Sequence, residues 1–248
     1  MIVKTDAIVL NSMRFGDTSK IVWVYTKEYG KVSIIAKGAV SLKNKYGGSL
    51  EPLSYISLIF YKKYNINTLQ TLKETDLIIP FNNIFANYIG LICGRICCEF
   101  LKNTQPDNLQ SIEIFELTKD YLILLNKNIY NEFVLSTIFL FRLAEYTGFN
   151  VDFSFIEDLP IEPSNKLLNL SLDNLAPEYI QKSNSGSFGL PTNILFKLSN
   201  FNNLSFDNIP LDINFEINEF KDIVNFFSKY FEYHLNNAIK IKYIDLLV

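Results

Sequence analysis

Three lysines in one short loop supply the first chemistry that can be read from this 248-residue chain. Lys37, Lys43 and Lys45 fall within residues 35–53, reading I-A-K-G-A-V-S-L-K-N-K-Y-G-G-S-L-E-P-L, and no acidic residue occurs from 32 to 50. Ammonium groups on long flexible stems, carried by a loop hinged at Gly38, Gly47 and Gly48, suit the oxygens of a phosphodiester backbone. Tyr46 in the same loop offers a ring on which a base can stack. Arg14 and Lys20 on neighbouring segments extend the cationic set, and Lys62 and Lys63 at a later strand end are its outlying members. The competing reading of these lysines is a solvated face, and the missing counter-acids weigh against it.

The charge of the whole chain hides this asymmetry. The net charge is −3, yet residues 1–75 hold eleven Lys and Arg against five Asp and Glu, while the remaining 173 hold twelve against twenty-one. A basic module is joined to an acidic one.

Other chemistries find no support. The sequence contains no G-x-x-x-x-G-K-[ST], no G-x-G-x-x-G and no H-E-x-x-H pattern. His234 is the single histidine, set in F-E-Y-H-L on an aromatic helix, where packing or capping is its expected role. Asp152, Glu157, Asp158 and Glu162 read as a solvated loop, since nothing gives any pair of them the opposed environments of an acid and a base. Cys93, Cys97 and Cys98 lack the spacing of a zinc site and read as buried, hydrophobe-like thiols in a reducing cytoplasm. No signal-peptide pattern opens the chain, and no apolar run is long enough for a membrane span. An ATP-independent binding protein is expected, not an enzyme.

The elements that must position the lysines follow from periodicity. Segments 2–10, 20–26, 31–36, 53–61 and 66–74 are rich in β-branched and aromatic residues and are separated by glycine turns. Five short strands in about 75 residues match a small closed barrel, with the OB-fold the first choice and an SH3-like barrel the alternative. After Pro80 the period becomes helical. Phe85, Ile89, Ile92, Ile96 and Phe100 make one stripe and Ile114, Leu117, Tyr121 and Leu124 a second. Residues 131–146 are apolar on nearly all sides and belong at a bundle centre. Residues 217–235 make a long aromatic-rich helix, with a last short one over 238–247. Residues 149–191 are irregular and only weakly strand-like. The expected class is α+β: an OB-fold DNA-binding barrel over 1–80, then an α-helical domain over 81–248 with an irregular insertion at about 150–190.

The order of motifs brings in a family. The run F-G-D-T-S-K-I-V-W-V-Y-T-K-E-Y-G-K (15–31) is followed by A-K-G (36–38), K-Y-G-G-S-L-E-P (45–52), L-A-E-Y-T-G-F (143–149) and Y-F-E-Y-H-L-N-N-A-I-K-I-K-Y-I-D-L-L (230–247). Together these resemble the bacterial recombination mediator family RecO, most specifically over residues 10–53.

The resemblance implies an N-terminal OB-fold, a helical bundle and DNA repair at the single-stranded stage. RecO-like proteins bind single- and double-stranded DNA and anneal complementary strands. They work with RecR, engage the C-terminal tail of single-stranded-DNA-binding protein and help load RecA, without nucleotide hydrolysis. A cytoplasmic, nucleoid-associated protein is expected.

On this reading Arg14, Lys20, Lys37, Lys43, Lys45, Tyr46, Lys62 and Lys63 contact DNA, and the acidic helical part serves protein partners. Arg95 or Arg142 is then a candidate receiver of the acidic tail, with pairing to Glu99 or Glu145 the alternative. Many members carry a four-cysteine zinc module where this chain, over about 150–190, has neither cysteine nor histidine. No zinc or other cofactor is expected, and packing of Phe153, Phe155, Leu167, Leu168 and Phe188 should stand in for the metal. A protein–protein scaffold whose barrel does not bind nucleic acid is the alternative function.

Overall fold

The computed structural model describes residues 1–41, 46–64, 68–178 and 186–248. Five strands, β1 (Ile2–Phe15), β2 (Ser19–Thr26), β3 (Gly30–Ala36), β4 (Tyr55–Tyr61) and β5 (Gln70–Ile79), close a barrel in the order β1-β2-β3-β5-β4. Alternation sorts the side chains. Val22 and Val24 of β2, Val32 and Ile34 of β3, and Ile56, Leu58 and Phe60 of β4 fill the interior, while Trp23, Ser33 and Ile59 between them point outward.

Closure depends on a parallel contact, Ile34↔Gln70 and Ile35↔Thr71, between β3 and β5. Stepping across the registers from Ile2 to Tyr61, Thr71, Ile35 and Ile21 returns to β1 at Met13 rather than at Ile2. The sheet is therefore strongly sheared, as a five-stranded barrel narrow enough to be filled by side chains requires. This is the OB-fold, and the expected α+β class with it.

β5 starts later and runs further than the expected 66–74. It extends to Ile79 because β4 supplies partners as far as Tyr55↔Ile79. Its charged residues Lys73, Glu74 and Asp76 disguise a strand whose outer side is wet.

Three helices complete a compact unit that ends at Asn128: α1 (Asn82–Ala86), α2 (Tyr88–Thr104) and α3 (Ile112–Lys127). The first helical stripe does not run unbroken from Phe85. Asn87 takes an extended conformation (φ −105°, ψ 111°) and its side chain caps α2 by accepting from Gly90 N–H.

The helices belong with the barrel because part of its outer surface is apolar. Ile8 is in register with Tyr25 on one side and Tyr55 on the other, and all three are buried. The Tyr55 ring meets Phe115 of α3 edge-on at 6.3 Å. Burial pushes the phenol of Tyr25 up to about 12, and that of Tyr55 likewise, helped by the nearby Asp6 carboxylate. The strands end near residue 80 as expected, but the compact units part at Asn128/Ile129.

The α2–α3 connector seals the barrel edge. Asn108 N–H donates to Lys31 O at 2.9 Å, and Lys31 forms an ion pair with Asp107 at 3.3 Å. Gly30 makes room for it. Its φ is +62°, and a Cβ there would lie 2.0 Å from the Leu109 carbonyl oxygen.

The second unit, residues 129–248, is built on α4 (Glu132–Tyr146). Its residues 133–141 are all buried, as the apolar circumference predicts. After it come a small antiparallel sheet of β6 (Leu167–Ser171), β7 (Pro177–Glu178) and β8 (Ser187–Pro191), then α5 (Thr192–Leu198) and α6 (Ile217–Leu235). Phe141 is ringed by Phe153, Phe201 and Phe227, at 5.4–6.0 Å between centroids.

In the irregular segment Phe153 is fully buried and Phe188 packs on Phe226 at 6.0 Å. Leu167 is instead 66% exposed, because β6 turns Leu170 inward, with Leu172 just beyond it buried as well. His234 packs between Phe149 and Tyr230, at 4.8 and 4.5 Å. Beyond it the expected last helix is only a 3-10 turn, Lys242–Leu246. Among the described residues no helix is long and apolar enough to cross a membrane.

Gly30→Ala should destabilise the first unit by at least about 2 kcal/mol in urea unfolding, since left-handed backbone and backbone overlap act together. The tyrosines give a second test. A phenol whose folded-state pKa is raised favours folding fully below its ordinary value of 10, and that contribution is lost as pH climbs towards 12. The urea midpoint should fall between these pH values, with the phenolate absorbance of Tyr25, Tyr55 and Tyr230 rising in step with unfolding.

Candidate nucleic-acid interface

The cationic residues gather where the sheared barrel brings strand ends together. Arg14 lies opposite Lys20 across the β1–β2 hairpin, and Lys20 lies opposite Ala36 of β3. Lys37 is the next residue along. Val40 N–H donates to Thr18 O at 2.9 Å, so the chain leaving β3 is held against the hairpin turn. Arg14, Lys20 and Lys37 therefore share one end of the barrel. β5 begins beside β3, and Lys63 N–H donates to the Gln70 side-chain oxygen at 2.7 Å. Past Tyr61 the chain runs the other way, towards the start of β3, where the Lys62 ammonium meets Tyr29, so Lys62 and Lys63 do not join Arg14, Lys20 and Lys37.

The cations differ in how far they are already engaged. Arg14 is exposed, with one guanidinium nitrogen donating to Asp17 O at 3.1 Å. Lys20 pairs with Glu51 at 2.7 Å, its side chain only 21% exposed. Lys62 holds its ammonium 4.3 Å over the Tyr29 ring, and Lys63 donates to Leu69 O at 2.7 Å. Lys37 is exposed, and among the described residues no carboxylate pairs with it. Lys43 and Lys45 lie outside the described residues.

Other lysines of the barrel are taken up by acids distant in sequence. Lys27 pairs with Glu116 at 3.0 Å and Lys31 with Asp107. The Glu116 carboxyl is held below its ordinary range, first by the hydrogen bond from Lys119 and then by Lys27. A pattern search along the chain has no means of seeing such pairs.

Three assignments need correcting. Tyr46 is not a free stacking platform: at 6% exposure it is part of the barrel core, which an aromatic side chain in an apolar loop fills more favourably than water does. Arg95 is 9% exposed and donates to the Asn11 side-chain oxygen at 3.2 Å, near the β1 irregularity between Val9 and Asn11. Arg142 pairs with Glu145 at 2.5 Å and donates to Asn202 O at 2.5 Å, tying α4 to the chain after α5. Both arginines are engaged within the fold, Arg95 buried and Arg142 partly exposed. Neither is presented to an acidic peptide.

Residues 150–190 contain no cysteine or histidine, and among the described residues no group of three or more His, Cys, Asp or Glu could hold a metal ion. The three cysteines form no disulfide and are buried in α2, and burial raises the Cys98 thiol to about 12.

Comparison with known proteins agrees with the geometry of the barrel. The family model described as Recombination protein O N terminal matches residues 1–81, and that described as Recombination protein O C terminal matches residues 86–155. The chain is 42% identical over 83 residues to a DNA repair protein RecO from Salinibacter ruber (34% of this chain, 32% of the relative). It is 34% identical over 125 residues to one from Thermodesulfovibrio yellowstonii (50% and 49%). With one from Pelodictyon phaeoclathratiforme it shares 28% identity over 265 aligned positions (100% and 98%). The match thus spans a third to a half of the first two relatives and nearly all of the last.

Tyr46→Ala should cost about 3–5 kcal/mol of stability, the magnitude for emptying a core aromatic site. Tyr46→Phe should cost much less, since the ring stays in the core. Parallel urea titrations of the two variants check the assignment.

Proposed function

This chain belongs to the RecO family of DNA repair proteins, and from that premise we propose that it is a non-catalytic mediator of recombinational repair. It binds single- and double-stranded DNA at the loop end of its barrel and anneals complementary strands. With RecR it helps load RecA onto single strands coated by single-stranded-DNA-binding protein. The observation that carries the reading is the convergence of Arg14, Lys20 and Lys37 at one barrel end, next to the loop that holds Lys43 and Lys45. Phosphate neutralisation needs only such mobile cations, and strand pairing then needs no cofactor, so neither zinc nor nucleotide enters the mechanism. The protein works in the cytoplasm, on the nucleoid.

Charge divides the labour between the units. Residues 1–128 hold fifteen Lys and Arg against eleven Asp and Glu, whereas residues 129–248 hold eight against fifteen. The second unit repels a polyanion and is left to protein partners. With Arg95 and Arg142 engaged internally, the acidic tail of single-stranded-DNA-binding protein finds its receiver among other residues. A scaffold with no nucleic-acid role is the second reading, favoured by the engagement of Lys20 with Glu51 and of Lys62 with Tyr29.

A gel shift on labelled oligonucleotides across a salt series separates the two. Binding through three to five phosphates should give a log–log salt slope of about −0.7 per contact on single strands. Lys37→Glu, Lys43→Glu and Lys45→Glu together should abolish binding and annealing while circular dichroism and the urea midpoint stay at wild-type values. Lys20→Ala should cost less than Lys37→Ala, because Glu51 already neutralises Lys20. Wild-type affinity in the triple variant at low salt would leave the scaffold reading standing.

A further inference from the structure

We propose that the open edge of β5, residues 74–78, together with the apolar hollow at its end, takes an extended peptide of a partner protein in which aliphatic and basic residues alternate. The site lies on the barrel but does not depend on DNA binding.

The edge follows from how the barrel closes. β3 stops at Ala36 and pairs with β5 no further than Thr71, whereas β5 runs on to Ile79. Among the described residues, β4 alone is hydrogen-bonded to β5 over 74–79. In an antiparallel pair every second residue turns its N–H and C=O away from its neighbour. This stretch therefore offers unpaired donors and acceptors along its far side.

The side chains record the same gap. Leu72, Thr75 and Leu77 lie opposite Phe60, Leu58 and Ile56, which fill the interior. Leu72 is accordingly 5% exposed, but Leu77 is 46% exposed, because no strand stands beyond it. The Thr75 hydroxyl between them is buried without a hydrogen-bond partner among the described residues. Leu77 opens on a hollow of about 290 Å³ that it shares with Ile79, Pro80, Phe81 and the half-exposed Phe85.

Charge selects the occupant. Glu74 and Asp76 alternate with the inward positions and are exposed on the outer side. Lys73 approaches Glu74 at 3.6 Å, and no cation among the described residues pairs with Asp76. Glu51, at the mouth of the hollow, already holds Lys20. A phosphate backbone is repelled by such an edge. A second copy paired antiparallel about Thr75 would set carboxylate against carboxylate at both 74 and 76. A strand with Lys or Arg beside Glu74 and Asp76, and aliphatic side chains turned to Thr75, Leu77 and the hollow, matches backbone, charge and shape together.

The probe is a labelled synthetic peptide of alternating lysine and leucine, with one of alternating glutamate and leucine as control. Titrated into the full-length protein, the lysine peptide should raise fluorescence anisotropy and slow amide hydrogen exchange at residues 74–78. The exchange measurement places the contact, which the acidic second unit could otherwise share. Glu74→Lys combined with Asp76→Lys should weaken binding about tenfold at an unchanged urea midpoint. Methylating the backbone nitrogens of one residue type in the peptide, leucine or lysine, should abolish binding, and methylating those of the other should not.

Binding without added protection at 74–78 would overturn the site, as would equal binding of the glutamate peptide. Binding that survives methylation of either nitrogen set would do the same. So would the absence of protection at about 1 mM lysine peptide, a concentration that reaches even weak sites. Protection that rises with protein concentration alone would give the edge to a second copy, and protection by an oligonucleotide would give it to nucleic acid. Either result overturns the peptide assignment.

Discussion

Two parallel backbone pairs, Ile34↔Gln70 and Ile35↔Thr71, determine where every other feature of the N-terminal unit lies. Without them the five strands are an open meander with two unprotected edges. With them the sheet closes under strong shear, so that residues distant along β1 fall into the same row around the barrel. The far end of β3 comes to rest beside the beginning of β5. Arg14, Lys20 and Lys37 meet at one end of this closed sheet through the registers of β1, β2 and β3. The electrostatics of the candidate interface are a consequence of topology before they are a matter of composition.

The barrel interior is filled mainly by aliphatic side chains, with Phe60 and Tyr46 among them. Tyr25, Tyr55 and Trp23 on its strands face outward instead, and the protein disposes of them in two ways. Tyr25 and Tyr55 are covered by α3 and the connector that precedes it, becoming a second core between sheet and helices. Trp23, two residues from Tyr25 on the same face, carries the Lys102 ammonium of α2 on its ring. A charged group resting on an aromatic ring is held by about 0.5–1 kcal/mol at an exposed site.

Much of the architecture was legible in the sequence because strand alternation and helical stripes are local signals. Five strands, the four main helices and the apolar circumference of residues 131–146 all rest on such signals. What escaped depends on partners far along the chain. The tail of β5 looked too charged for a strand until β4 supplied its hydrogen bonds. Asn87 interrupts a stripe that is continuous in hydrophobicity alone. Arg95 reads as an available cation, although the helix carrying it is buried on nearly every side. Lys20, Lys27 and Lys31 count as basic residues in any tally, yet each meets a carboxylate at least 31 positions away. The outward direction of Trp23 was within reach, since Val22 and Val24 on either side of it are the better interior residues.

The apolar belt of Ile8, Tyr25 and Tyr55 bears on the protein's synthesis. A barrel needs only the first 79 residues to pair its strands, but this one then exposes that belt until residues 112–127 arrive to cover it. On the ribosome a barrel finished early would carry a sticky flank for as long as the next helices take to emerge. The connector that docks at Gly30 ties the sealing of the barrel edge to the arrival of α3. Between the end of β5 and the end of α3 the nascent chain adds about fifty residues, and the belt lacks its cover until they are made.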